Sequence, residues 1–398
     1  MDLKEKLKYY SQTSQIQQKT SAEVSEVSGL ANKFKGILKD GVIKICHYYP
    51  YSHFIPAHIY PENVYLPTLT KQQITTAIPV GKSVVFDLET TGLAGGTGTY
   101  PFLIGFGYPE TNGVNIVQYF LPDFGREAGA YLDMKEDHAG RSILISYNGK
   151  SFDYPLLRNR MILNRIDNSL ASMDHLDLLH LSRRIWRNML TGFSLQTIEE
   201  KIFYFSRIGD IEGMLIPQSY FNFLQSGHTD EIHRIIQHNR QDILTLVRLL
   251  FYLHRIEERK TTRQISETEL LNLFKLANDT GDIDEARRLF QVIQTRNIDL
   301  SENLVISYSR LLKHHRCWEE LLPLWHKILD RGAMVPYICE EFAKYYEHIS
   351  HEYHLARMYI ERALQHYSIR QELYSPDPVS HEFERRYQRI MVKLLKKG

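Results

Sequence analysis

Between Ser83 and Leu121 three short apolar runs, SVVFDLETT, PFLIGFGY and VNIVQYFL, follow one another with only Gly- and Pro-rich punctuation between them. Runs of that length and spacing predict three consecutive antiparallel strands. A fourth run, ILISYNG, leads into the helical pattern FDYPLLRNRMIL. Helices are then expected through LDLLHLSRRIW, SLQTIEEKI and the long DEIHRIIQHNRQDILTLVRLLFYLHRI. Strands first, then strands mixed with helices, then a long closing helix define an α/β domain with a mixed sheet flanked by helices.

After about Thr262 the pattern becomes purely helical and repeats. Ala286-x-x-x-Phe290, Leu321-x-x-x-Trp325 and Ala356-x-x-x-Ile360 stand at an interval of 35, with Ile283, Trp318 and Tyr353 three residues ahead of each. A period in the mid-thirties marks stacked helix pairs, and Gly281-Asp282 fits the turn of a tetratricopeptide-like unit. A chain of 398 residues exceeds one ordinary core. The expected division is an N-terminal extension over 1–69, an α/β domain over 70–262 and an all-α repeat domain over 263–398. Residues 1 to about 35 read as weak helices or a mobile arm. GVIKICHYYPYSHFIPAHIYPENVYLP reads as an extended segment lying across a domain.

Composition narrows the function classes. Apolar residues at 43% and charged residues at 24% are those of a globular chain. No stretch approaches a membrane span, and MDLKEKLKYYSQTSQ lacks the apolar core of a signal peptide, so a cytoplasmic protein is expected. Cys46, Cys317 and Cys339 are too few and too far apart for a disulfide framework or zinc ribbon, and read as packing residues. A net charge of +1 excludes a polybasic chain that holds nucleic acid by phosphate neutralisation alone, so any such contact is local.

The acids carry the chemistry. Asp87 and Glu89 stand two apart at the end of an apolar strand, so both face the same side. Their repulsion is offset where a divalent metal sits between them. Alone, the pair reads equally well as a solvated strand end. Asp153 follows ILISYN at the head of a helix, and Asp242 lies four residues after His238 on one helical face. Oxygen ligands from several elements suit Mg²⁺ or Mn²⁺, and two such ions would serve phosphodiester hydrolysis.

At this point the region from about Ser83 to Leu250 resembles the DEDD superfamily of exonucleases, and more narrowly the YprB-type ribonuclease H-like family. FDLETTGL is similar to the first exonuclease motif, SYNGKSFDYPLL to the second and HNRQDILTL to the third, in the right order. The resemblance implies a ribonuclease H-like fold with Asp87, Glu89, Asp153 and Asp242 as ligands of two Mg²⁺ or Mn²⁺ ions. It also implies 3′-to-5′ trimming of DNA or RNA, with a single-stranded 3′ end as the natural partner of the site. Thr90 and Leu93 would contact the terminal nucleotide, and they also read as a strand-end turn. One departure is specific: the superfamily places a Tyr four residues before the last Asp or a His five before it, whereas here His238 holds the Tyr spacing. A histidine there is able to orient or deprotonate the attacking water, and it also reads as a packing residue.

Asn148 has two readings, a polar group near substrate or metal and an Asn-Gly turn residue. Asp174 and Asp177 read as helix-start acids that support the site and are not ligands. Arg183, Arg184, Trp186 and Arg187 read as a solvated helix face, or as a strip that binds a single strand by charge and stacking. GLAGGTG lacks the Lys-Ser/Thr of a phosphate loop, the two Gly-Lys-Ser triplets lack the earlier glycine, and HEYH misses the spacing of a zinc-protease helix. Two rival functions remain: a non-cleaving nucleic-acid scaffold with partner-recruiting repeats, and an endonuclease of the same fold. The repeats are expected to bind a protein partner on a concave surface, or to extend the nucleic-acid groove.

Overall fold

The computed structural model describes residues 21–55, 60–74, 76–92, 98–260, 265–332, 334–373 and 380–397. The chain forms two compact units, Met1–Leu276 and Ala277–Gly398. This division falls further along the chain than the expected boundary at 262/263.

In the first unit a helix α1 (Ser21–Lys33) precedes strands β1 (Ile37–Lys39) and β2 (Val42–Pro50). A small two-stranded sheet of β3 (Asn63–Val64) and β4 (Ile78–Pro79) comes next, then β5 (Ser83–Thr90), β6 (Pro101–Pro109) and β7 (Gly113–Phe120). Helix α2 (Glu127–Asp137), β8 (Ile143–Ser146), helix α3 (Asp153–Leu163) and β9 (Asp174–Asp177) complete the strands. Helices α4 (Leu178–Trp186), α5 (Leu195–Lys201), α6 (Ile216–Ser226) and the long α7 (Asp230–Arg259) follow, then α8 (Glu267–Thr280), which runs into the second unit.

The main sheet has seven strands in the order β1-β2-β7-β6-β5-β8-β9. From β1 to β5 the pairings are antiparallel, and β5–β8 and β8–β9 are parallel. It is therefore the mixed sheet flanked by helices that the pattern of runs predicted. The segment expected to lie across the domain instead supplies β2, paired with β7 from Ile43↔Phe120 to Pro50↔Gly113. Its partner is distant in sequence, so no local signal announced the pairing.

Strand β6 has a different surface on each side. Ile104, Phe106 and Tyr108 enter a core with Phe86, Leu88, Tyr119 and Leu144. Gly105 and Gly107 alternate with them, and a Cβ on either would meet helix α7: 2.1 Å from Asn239 Oδ1 at Gly105, 2.6 Å from Ile243 Cγ2 at Gly107. The missing side chains let α7 lie directly on the sheet beside β5.

Trp186 is fully buried with its indole N–H on Glu269 Oε1 at 2.9 Å, so it has no face on which a base could stack. Arg184 donates to the Leu69 carbonyl, while Arg183 and Arg187 are exposed. All three cysteines are free; Cys339 is a packing residue, whereas Cys46 is exposed on β2.

The second unit consists of the end of α8 and helices α9 (Ile283–Thr295), α10 (Glu302–His314), α11 (Trp318–Asp330), α12 (Val335–His348), α13 (Tyr353–Leu373) and α14 (Ser380–Lys397). Each of α9 to α13 packs on the next. Ile283, Trp318 and Tyr353 each open a helix, so the interval of 35 is the distance between equivalent helix starts. Ala286, Leu321, Trp325, Ala356 and Ile360 are fully buried, and the Phe290 ring lies 4.7 Å from that of Tyr308. Among the described residues no helix is long and apolar enough to cross a membrane.

Candidate metal centre

Three elements deliver the acids. Asp87 and Glu89 lie on β5, in register with Gly105 and Leu103 of β6. Asp153 is the first residue of α3, and Asp242 lies in the middle of α7 with His238 one turn before it. A ligand atom from each of Glu89, His238 and Asp242 falls within 4.8 Å of the others. Asp87 and Asp153 flank this group within electrostatic reach. Burial first, then repulsion from Asp242 and Asp153, pushes the Asp87 carboxyl well above its usual range. Glu89 is pushed up likewise by burial and then by Asp87, Asp242 and Asp153. Asp153 itself is raised by burial and by Asp177.

The placement of Asp87 depends on a row across the sheet. Asp87 pairs with Gly105, and Gly105 with Gln118 of β7. Asn239 of α7 spans this row above the glycine. Its amide accepts from Gln118 Nε2 at 2.8 Å and donates to Asp87 Oδ2 at 2.9 Å. Gln118 also donates to the Ile236 carbonyl at 2.9 Å, which fixes the helix to the strand. Neither Asn239 nor Gln118 stands out in the sequence, because each has meaning only once β5, β6, β7 and α7 are stacked.

A second network holds Asp242 and His238. Arg207, in the loop between α5 and α6, donates to Glu199 at 2.6 and 2.9 Å, to Asp210 at 3.2 Å and to Asp242. Its guanidinium is nearly buried and its charge is held strongly: burial works against it, but Asp242 and Glu199 outweigh that and raise its pKa. Asp210 lies against His238 Nδ1 at 2.8 and 2.9 Å. Burial alone would raise Asp210, yet its hydrogen bond with His238 and its contact with Arg207 bring it below the usual carboxylate range. For Asp242, burial raises the carboxyl more than Arg207 and His238 lower it. Arg207, Asp210 and Glu199 were missed in the sequence, where nothing marks an Arg in a loop as the partner of an Asp on a distant helix.

The other expected residues are placed as follows. Asn148 adopts the left-handed turn conformation at φ 64°, and its backbone N–H donates to Asp177 Oδ1 at 2.8 Å. Asp177 also caps α4 through Leu179 N at 3.1 Å, and Asp174 is exposed at the start of β9. Thr90 turns its hydroxyl onto the Gly92 carbonyl at 2.9 Å. Leu93 lies outside the described residues, as does most of the GLAGGTG loop.

The donor set fits divalent cations. Several carboxylates, Glu89 buried and the others half-buried, are close enough that desolvation and mutual repulsion oppose their ionisation, and Arg207 contacts only Asp242 among them. Hard oxygen donors gathered in this way suit a divalent cation, whose charge offsets that repulsion.

A family model described as the RNase_H superfamily matches residues 84–254. That span runs from β5 to α7 and includes all four acids and His238. The chain is also 30% identical over 285 residues to the uncharacterized protein YprB of Bacillus subtilis (strain 168), which covers 70% of this chain and 68% of the relative. With its mixed sheet, its acidic centre and these two matches, the chain belongs to the family of YprB within the RNase H superfamily, and its first unit is a domain of nuclease type.

Proposed function

We propose that this protein is a metal-dependent 3′-to-5′ exonuclease that hydrolyses phosphodiester bonds of DNA or RNA with two divalent cations, Mg²⁺ or Mn²⁺. One observation carries the reading: ligand atoms of Glu89, His238 and Asp242 lie within 4.8 Å of one another, and Asp87 and Asp153 are close enough to raise the neighbouring carboxyls. A merely structural cluster of that kind would be costly, since each buried charge needs a counter-charge.

Asp87, Glu89, Asp153 and Asp242 would hold the cations. Bound there, divalent cations supply the positive charge that polarises water and neutralises a phosphodiester under in-line attack. The protein's own part is to hold the geometry. Asn239 fixes Asp87, Arg207 fixes Asp242 and Asp210 fixes His238, so the groups meet the substrate with little reorganisation. His238 directs Nε2 toward Asp242 at 3.5 Å. An imidazole so placed has two available roles, accepting the proton of an attacking water or donating its electron pair to a cation. Thr90 and Leu93 are assigned to the terminal nucleotide, and Asn148 to the substrate beside it. In the second unit the 35-residue interval is assigned to tetratricopeptide-like repeats that recruit a protein partner.

The test is incubation of the full chain with end-labelled single- and double-stranded DNA and RNA in Mn²⁺, beside an Asp87→Ala control. The expected result is ladder-like shortening from the 3′ end that the control lacks. Equal activity in the control overturns the assignment. A 3′-blocked substrate separates the modes: it stops an exonuclease, and continued cleavage would assign the protein as an endonuclease.

A further inference from the structure

His238 has a partner that a site made of four acids does not need. Its Nδ1 lies 2.8 and 2.9 Å from the two oxygens of Asp210. An ionised carboxylate only accepts hydrogen bonds, so Nδ1 carries the proton and donates it to Asp210. In the neutral ring Nε2 therefore presents a lone pair. That nitrogen faces Asp242 Oδ2 at 3.5 Å, beyond an ordinary hydrogen bond, and it belongs to the group with Glu89 whose ligand atoms lie within 4.8 Å of one another.

Two carboxylates and an imidazole nitrogen crowd together there, and their ligand atoms are close enough to share one ion. The outer contacts also match. A metal-ligating histidine almost always donates its other ring N–H to a carboxylate or carbonyl, which sets tautomer and ring orientation. Arg207 then ties the arrangement together, because it bonds Asp210 through Nη1 at 3.2 Å and Asp242 through Nη2. It occupies the outer oxygen of Asp242, Oδ1, and leaves Oδ2 turned to the imidazole.

We propose that His238 Nε2 is a direct ligand, with Glu89 and Asp242, of one of the divalent cations, and that Asp210 is the positioning residue that holds the imidazole for it. This rests on the metal-dependent reading above and chooses the second of the two roles open to His238. Selectivity follows from it. An all-oxygen site suits Mg²⁺, whereas an imidazole nitrogen shifts preference toward transition metals.

The probe is Mn²⁺ alone, added to the metal-free full-length protein, with pulsed electron paramagnetic resonance to detect nitrogen coupling to the bound ion. The wild-type protein is expected to show one imidazole nitrogen on Mn²⁺. His238→Gln should lose that coupling and bind Mn²⁺ at least about tenfold more weakly, with Mg²⁺ affinity falling by a smaller factor. Asp210→Asn should weaken Mn²⁺ binding by about 10-fold to 100-fold, the range for outer partners of a ligating histidine. The central readout is on the wild-type protein, so it does not depend on either variant folding. Bound Mn²⁺ without nitrogen coupling overturns the ligand assignment and leaves the nuclease reading in place. Failure of the wild-type protein to bind Mn²⁺ at all overturns both.

Discussion

Arg207 shows how much of the site depends on a single side chain. Its guanidinium joins Glu199, Asp210 and Asp242, with its own side chain only 6% exposed. Removing it leaves several buried carboxylates without a counter-charge, a loss of about 3 to 5 kcal/mol for a broken buried pair. Arg207→Met should therefore lower the stability of the first unit by that order, measured by urea denaturation. Arg207→Lys should recover only part of it, since an ammonium cannot fork between acceptors. The acids also fix a pH dependence. Asp153 is raised from 3.8 to about 7 by burial and by Asp177, so the folded protein holds a proton that the unfolded chain releases. Stability from this group is greatest at low pH and declines as pH rises through that window. Scanning fluorimetry in chelator should show the melting temperature falling toward pH 7. Added Mn²⁺ should restore more at pH 7 than at pH 5, and Asp87→Ala should blunt the gain. In the sequence the acids were visible as types and spacings. Their counter-charge was not, because Arg207 reaches Asp242 only across the fold.

At the scale of elements, the seat of α7 on the sheet decides where Asp242 and His238 point. Gly105 is the critical position, since Asn239 crosses above it from Gln118 to Asp87. Gly105→Ala would put a Cβ 2.1 Å from Asn239 Oδ1 and 2.7 Å from Ile243 Cδ1. The helix must lift, at a cost of about 1 to 3 kcal/mol for overpacking. The expected result is a nuclease activity loss much larger than the stability loss, read from single-turnover rates beside a denaturation curve. Wild-type rates in the Gly105→Ala protein would show that the helix seat does not control the site. Gly105 and Gly107 were legible as members of a strand. That they form the bed of a helix was not, because strand alternation does not say which residue comes down on a given face. The same limit hid β2, whose hydrogen bonds go to β7 and leave no local mark.

The whole molecule divides at Leu276/Ala277, and each unit carries its own reporter of stability. Trp318 and Trp325 are in the second unit, Trp186 in the first. Within the second unit Glu347 of α12 is fully enclosed and accepts from Arg386, Arg389 and Lys393 of α14. Burial would raise its carboxyl, but the Arg389 and Lys393 hydrogen bonds pull it down to about 2. This stabilisation is complete above the ordinary glutamate range and is lost as pH falls toward about 2. Glu347→Gln should destabilise the unit by about 3 kcal/mol, seen as an earlier tryptophan transition in urea at neutral pH, with the difference from wild type shrinking in acid. What the sequence determined by itself was whatever depends on near neighbours: strand runs, helix periods, the 35-residue interval, and the identity of the acids. Hydrophobic period and residue type are local properties, so they survive in a linear reading. The tertiary structure alone decided which faces meet, which cation answers which carboxylate, and which acid stands against each nitrogen of His238, because those interactions join residues brought within a few ångströms only by the packing of α7 and the Arg207 loop on the sheet.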